Sequence, residues 1–127
     1  MALRGARSWD AEHARFLTSE GKNRVVGNHT RPRWCDLFGP VGDRTAGIAF
    51  LTHPANFRGP EPLRIHPTMP YMVYSPSHLG DWEITPGSPH VFRYQFVVHD
   101  SDLPETTTNR LWLNFAEPLI PSVVSPQ

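Results

Sequence analysis

The sequence has little cysteine, little lysine and no long apolar run. Among its 127 residues Cys35 is the one cysteine, which excludes an internal disulfide and a zinc site built from several cysteines. Its place in a strand-like run predicts a buried apolar role rather than a reactive thiol. Because no stretch of about 18 apolar residues occurs, no transmembrane helix is predicted. The first residues lack the apolar segment of a secretory signal, and we therefore expect a cytoplasmic protein.

Charge is balanced and shows no runs of one sign. Twelve basic residues, all arginine except Lys22, offset twelve acidic ones. Proteins that bind nucleic acid or a membrane surface usually carry a basic patch, so we expect neither partner. Several signatures are also absent: Gly-x-Gly-x-x-Gly of dinucleotide binding, Gly-x-Ser-x-Gly of serine hydrolases, His-x-His of cupin-type metal sites, and paired carboxylates. No cofactor and no metal ligand set is predicted.

Proline is abundant, with 14 residues spread along the chain. Short apolar segments separated by Gly and Pro turns are typical of an antiparallel β-sandwich or barrel. We predict a mainly β sandwich over 11–118, a loose segment over 1–10 and a tail over 119–127. The predicted strands are 12–18, 33–38, 45–52, 63–66, 71–74, 82–85 and 90–99.

The strand 90–99 has the clearest alternation of the chain. Phe92, Tyr94, Phe96 and Val98 fall on one face, which predicts that this face is buried. After Asp102, the pair Pro104-Glu105 suits the first turn of a helix. A single short C-terminal helix is predicted there, ending before Pro118, with an apolar stripe formed by Leu111, Trp112, Phe115 and Ala116. The three consecutive threonines of 106–108 count against it, because β-branched residues favour strands.

Several segments resemble a known family. They are 33–39 (Arg-Trp-Cys-Asp-Leu-Phe-Gly), 47–49, 53–60 (His-Pro-Ala-Asn-Phe-Arg-Gly-Pro), 86–87, 92–94 and 97–100. In their order and spacing they resemble the bacterial PmoA-like proteins, a family with a methane oxygenase name. The resemblance covers about 10–118 and corresponds to the C-terminal half of those longer proteins. The resemblance implies a β-sandwich that forms half of a mutarotase-like supersandwich, and it implies a link to carbohydrates.

The proline-rich corner after the strand 45–52 is the first candidate site. His53, Asn56 and Arg58 together offer donors, an acceptor and a fixed charge, as sugar hydroxyls and carboxylates require. We predict His53 as the catalytic acid or base, because an imidazole titrates near neutral pH, and Asn56 and Arg58 as substrate ligands. The alternative is that His53 and Asn56 hydrogen-bond the main chain of their own turn.

Four further residues extend this substrate-binding set. His66 and His99 are the last residues of predicted strands, and Arg93 projects from the face of its strand opposite Tyr94. Trp82, beside Gly80-Asp81, is the tryptophan best placed to stack on a sugar. Solvent exposure is the alternative for Arg93, and a capped strand end is the alternative for the histidines.

Three functions follow from these patterns. The first is binding or processing of a carbohydrate or another small molecule. The second is a non-catalytic interaction or structural module, with homo-oligomers formed through exposed sheet edges. The third, suggested by the family name, is a metal-dependent oxygenase, whose ligands could only be assembled by the fold.

Overall fold

The computed structural model describes residues 1–126. Its elements in chain order are β1 (Ala2–Arg4), β2 (Arg15–Thr18), β3 (Trp34–Val41), β4 (Arg44–Thr52), β5 (Leu63–Ile65), β6 (Tyr71–Tyr74), a 3-10 helix (Pro76–Leu79), β7 (Tyr94–His99) and α1 (Glu105–Ala116). The chain is mainly β with one short C-terminal helix, which confirms the predicted fold class.

The strands form two antiparallel sheets. A small sheet has the order β1-β6-β5, and a large sheet has the order β2-β3-β4-β7. The β3–β4 hairpin is the longest and pairs Val41 with Arg44 across a two-residue turn. Gly42 opens that turn with φ 63°, a conformation that glycine adopts without a Cβ clash.

Alternation along β3 and β4 produces two apolar layers. Cys35, Leu37 and Phe50 face the small sheet and pack with Leu63 and Tyr74. The opposite faces of these two strands carry the buried side chains of Trp34, Ala49 and Leu51. Because successive side chains of a strand point to opposite faces, the large sheet is covered on both sides. Cys35 is fully buried and burial raises the pKa of its thiol, as expected for an apolar packing residue.

Helix α1 covers the second of these layers. Leu111, Trp112 and Phe115 pack on Trp34 and its neighbours, which confirms the predicted stripe for these three residues. The threonine run is compatible with the helix because Thr108 is buried and its hydroxyl donates to the carbonyl of Pro104 (3.1 Å). The helix ends at Ala116, two residues before Pro118, which would remove a helical hydrogen bond if the helix continued.

Two predictions about individual segments were wrong. Residues 1–10 are not loose: β1 pairs with β6, and Trp9 is buried with its indole N–H donating to the carbonyl of Pro40 (2.9 Å). The predicted strand 82–85 is absent, and only an isolated bridge joins Thr85 to Ser88. Local patterns could not show either result, because both depend on which distant segment lies alongside.

Strand β7 is shorter and more exposed than its sequence pattern predicts. It begins at Tyr94 rather than His90, because the side chain of Asn56 binds the main chain of Arg93. Phe96 is 42% exposed and Val98 is 77% exposed, although their face carries the fully buried Phe50 on β4. β7 is the outer strand of the large sheet, so its side chains lack the cover that the central strands receive.

No helix among residues 1–126 has the length and apolarity needed to cross a membrane.

Candidate functional site

The corner after β4 is held together by main-chain hydrogen bonds. The Nδ1 atom of His53 accepts the N–H of Ala55 (3.0 Å), and the His53 ring stands edge-on to Phe115 of α1 (5.1 Å between centroids). A neutral imidazole that accepts at Nδ1 carries its proton on Nε2. His53 therefore braces its own turn, as the alternative reading of the sequence anticipated. Its predicted catalytic role stays a prediction.

Asn56 is buried and functions as a clamp between two segments. Its Oδ1 accepts the N–H of Arg93 (2.8 Å), and its Nδ2 donates to the Arg93 carbonyl (3.0 Å). Nδ2 also lies 2.9 Å from Oε1 of Glu61 and 3.1 Å from Oγ1 of Thr52. The amide thus replaces a strand carbonyl as the acceptor for the Arg93 N–H, while the Arg93 carbonyl also accepts the N–H of His53 (3.2 Å). The polar atoms of Asn56 are engaged within the protein rather than directed to a ligand.

Glu61 is the centre of a buried polar cluster. It is 0% exposed, and its carboxylate accepts hydrogen bonds from Thr52 (2.6 Å), Asn56 (2.9 Å) and the hydroxyl of Tyr94 (2.7 Å). Burial, together with the neighbouring carboxylate, raises the pKa of Tyr94. The Tyr94 hydroxyl is therefore held as a protonated donor towards Glu61.

Arg58 fixes the loop that precedes Trp82. Its guanidinium donates to three main-chain carbonyls, those of Pro76 (2.8 Å), Gly80 (2.7 Å) and Asp81 (2.9 Å), and it lies over the ring of Phe57. Arg58 itself has φ 57°, a left-handed conformation that is unfavourable for a residue with a Cβ. Three of the five N–H groups of Arg58 are thus engaged by the main chain of the protein.

The other predicted binding residues lie in separate places. His66 sits in the β5–β6 turn, where its Nδ1 accepts the N–H groups of Thr68 (3.2 Å) and Met69 (3.0 Å). The side chain of Arg93 is exposed, as the alternative reading held. His99 lies at the far end of β7, five residues or about 17 Å beyond Tyr94. The structure therefore does not bring the predicted residues together in one site.

Trp82 belongs to an aromatic group beside the Arg58-bound loop. Its indole N–H donates to the hydroxyl of Ser77 (2.9 Å), and its ring lies 5.4 Å from Phe57, 5.2 Å from His90 and 6.0 Å from Phe92. Phe92 and Tyr94 follow along the chain with parallel rings, 6.4 Å apart. We call the resulting hollow the aromatic groove; it measures about 290 Å³ and is lined by Met1, Pro76, Trp82, Phe92 and Tyr94.

A second, smaller cleft contains His99. It measures about 180 Å³ and is lined by Leu17, Asp36, Phe38, Thr45, His99, Asp102 and Leu103. His99 Nε2 is 2.8 Å from Asp36 Oδ1, and both side chains are less than a tenth exposed. His99 Nδ1 lies 2.6 Å from the carbonyl of Ser101, an atom that only accepts, so this nitrogen carries a proton. Burial raises the pKa of Asp36, and the hydrogen bond from His99 partly opposes that effect.

Sequence reasoning missed Glu61, Asp36, Phe92 and Tyr94 as site residues. Asp36 carried a usable signal, since it is the one acid within a strand covered on both faces, and a buried acid needs a partner. Glu61 carried a weaker signal, lying between two prolines just before the predicted strand 63–66. Phe92 and Tyr94 were assigned to the core from their alternation, and only the structure shows their rings at an open groove.

Among residues 1–126, no group of three or more His, Cys, Asp or Glu side chains is arranged to hold a metal ion.

The fold and the groove define a small β-sandwich with a half-open aromatic hollow. A family model described as "Family of unknown function (DUF6807)" matches residues 1–113. The match spans most of the chain, and the protein belongs to this family. No curated protein and no solved structure matches the chain.

Proposed function

We propose that the protein binds a carbohydrate in the aromatic groove. The observation that supports this proposal is the convergence of Trp82, Phe92 and Tyr94 on one hollow of about 290 Å³. Aromatic rings present a flat apolar surface together with a polar tip, and this combination suits the C–H face and the hydroxyls of a sugar. The volume lies near the lower end of small-molecule sites, about 300–1,000 Å³, which favours one or two sugar units.

Tyr94 sets the polarity of the groove. Its hydroxyl hydrogen is directed to Glu61 (2.7 Å), so the lone pairs of its oxygen are the groups left to a ligand. A ligand hydroxyl is thus expected to donate to Tyr94. Arg58 contributes indirectly, because it holds the carbonyls of residues 76–81 and so the position of Trp82.

The test is calorimetric titration with a panel of neutral mono- and oligosaccharides. For any sugar that binds, we expect Trp82→Ala to weaken affinity about tenfold, since losing an aromatic contact costs roughly 0.5–1.5 kcal/mol beyond area burial. Ile84→Ala, an exposed change in the same loop, serves as the matched control and should leave affinity unchanged. If no sugar of the panel binds, or if both variants bind like the parent, the groove is not a carbohydrate site.

His53 is tested in the same assay as a separate question. A catalytic or ligand role for His53 requires that His53→Ala changes binding or turnover of a sugar that occupies the groove. Equal behaviour of parent and variant would leave His53 as a brace of its own turn, without affecting the proposal for the groove.

A non-catalytic interaction module is the second candidate function. It is supported by the exposed apolar side chains on β7, in particular Phe96 (42%) and Val98 (77%). The resemblance to PmoA-like proteins, the oxygenase activity, the homo-oligomer and the cytoplasmic location remain predictions from the sequence.

A further inference from the structure

A further hollow lies between the loop that follows β2 and the β5–β6 hairpin. We call it the arginine hollow; it measures about 360 Å³ and is lined by Arg24, Val25, Asn28, Arg64, Ile65 and Pro67. Three of these six side chains carry N–H donors, and none of the six is acidic. The loop is held on the hairpin by the N–H of His29, which donates to the carbonyl of Leu63 (2.6 Å), and by the N–H of Leu63, which donates to the carbonyl of Thr30 (2.8 Å). The hollow is therefore fixed in place and positively charged.

Arg24 is the less exposed of the two arginines in the arginine hollow. Its Nη1 donates to the carbonyls of His66 (2.7 Å) and Met69 (2.8 Å), and its Cζ lies 4.6 Å from the centre of the Phe16 ring. Its Nη2 is buried and meets no acceptor within residues 1–126, whose ion pairs do not include Arg24. Burial lowers the pKa of Arg24, and the charge of Arg15 acts in the same direction. Arg24 is thus a partly buried cation that is in contact with no anion of this part of the chain, an unfavourable arrangement.

Asn28 and Arg64 add further donors to the same hollow. Oδ1 of Asn28 accepts the N–H of Ile65 (2.9 Å), which fixes the orientation of the amide and leaves its Nδ2 without an acceptor in the described residues. Arg64 lies between the buried residues Leu63 and Ile65 of β5, so its side chain projects from the opposite, outer face of the small sheet. It is exposed and takes part in none of the ion pairs of residues 1–126. The unengaged polar groups of the lining side chains are therefore all donors.

We propose that the arginine hollow binds the oxyanion group of a small molecule, a carboxylate or a phosphate, between Arg24 and Arg64. A guanidinium presents its N–H groups in a planar fork that matches both kinds of anion, and hydrogen bonds between ionised partners are stronger than neutral ones. Nδ2 of Asn28 supplies a further donor. Nη2 of Arg24 is itself shielded by its neighbours, so Arg24 attracts the anion by its charge. The site shares no residue with the aromatic groove, and the proposal is independent of sugar binding.

Calorimetric titration of the full chain with inorganic phosphate and with benzoate tests the proposal, at an ionic strength held constant with chloride. We expect one saturable site with a dissociation constant of about 1 mM or lower for at least one of the two anions. Arg64→Gln removes a charged donor and should weaken that binding roughly tenfold. Arg110→Gln, the same change at an exposed position of α1, is the matched control and should leave affinity unchanged. Binding of phosphate alone or of benzoate alone supports the proposal and identifies the anionic group. No saturable binding of either anion, or equal weakening by both variants, would overturn it.

Asn28→Asp gives a second test that does not depend on the identity of the ligand. Aspartate keeps an oxygen acceptor for the Ile65 N–H and places a carboxylate beside Arg24 and Arg64. We expect this variant to unfold at a higher temperature than the parent without added anion, and to lose the binding of phosphate or benzoate. Asn114→Asp, at an exposed position of α1, should not raise the unfolding temperature. A folded Asn28→Asp variant that is no more stable than the parent, or that binds the anion equally well, contradicts the proposal. Circular dichroism establishes folding, and if Asn28→Asp does not fold, the exposed Arg64→Gln variant decides the question.

Discussion

Replacing Asn56 by alanine should destabilise the protein severely without any ligand being present. The amide is 4% exposed and joins the corner after β4 to Arg93 and to Glu61. Alanine removes two neutral hydrogen bonds to the main chain of Arg93, each worth about 1 kcal/mol, and one to a carboxylate, worth about 2 kcal/mol. The expected loss is therefore about 4 kcal/mol in the free energy of unfolding, a large share of the usual ~5–15 kcal/mol.

Urea unfolding followed by tryptophan fluorescence measures this loss. With a slope of about 2 kcal/mol per molar urea, the midpoint should fall by about 2 M. Asn56→Asp retains an acceptor for the Arg93 N–H but removes the donors and places a second carboxylate beside Glu61, so it should be at least as destabilising as alanine. Asn114→Ala, at an exposed position of α1, is the control and should change stability by less than about 0.5 kcal/mol.

The result that contradicts this reasoning is a loss below about 1 kcal/mol for Asn56→Ala with an unchanged slope. It would mean that water satisfies Arg93 and Glu61 as well as the amide does. Asn56 would then be free to serve as the ligand residue that the sequence suggested.

Two further predictions concern Arg58 and the Asp36–His99 pair. Arg58→Ala and Arg58→Gly lose the same three hydrogen bonds, but glycine tolerates φ 57° better than alanine does. The glycine variant should therefore be about 1 kcal/mol more stable than the alanine variant in thermal or urea unfolding. Equal stabilities would show that the backbone at this residue is not strained. Folding raises the pKa of Asp36 from its usual 3.8, so the protonated carboxyl stabilises the protein fully at a pH below 3.8. This stabilisation is lost as the pH rises through the raised pKa of the folded state. The stability of the parent relative to Asp36→Asn should accordingly fall as the pH is raised above about 3.8 in urea titrations, and a rise with pH there would contradict the assigned direction.

Much of the fold followed from local patterns in the sequence. The strands β3 and β4 were predicted because they are short apolar segments bounded by Gly and Pro turns, and the corner at 53–60 because prolines restrict φ and remove donors. Helix α1 was predicted from its proline start and apolar stripe. These features depend on residues near one another along the chain, so propensity and periodicity are sufficient to predict them.

The candidate site was predicted much less well. His53, Asn56 and Arg58 were correctly predicted to be polar groups on a rigid corner, but a sequence does not show which atoms these side chains bind. Asn56 binds Arg93 at a separation of 37 residues, and Asp36 binds His99 at a separation of 63. Contacts of that range are set by the order of strands in the sheets, which no local pattern encodes.

Strand β7 shows the same difference between what the local sequence determines and what the tertiary structure determines. Its alternation determined that Phe96 and Val98 share a face with Tyr94, because a strand has a period of two. Whether that face is covered depends on which strand lies across it, and β7 is at the outer edge of the large sheet. The sequence thus determined the strands, the helix and the rigid corner, while the tertiary structure decided which polar groups are paired and which apolar groups meet solvent.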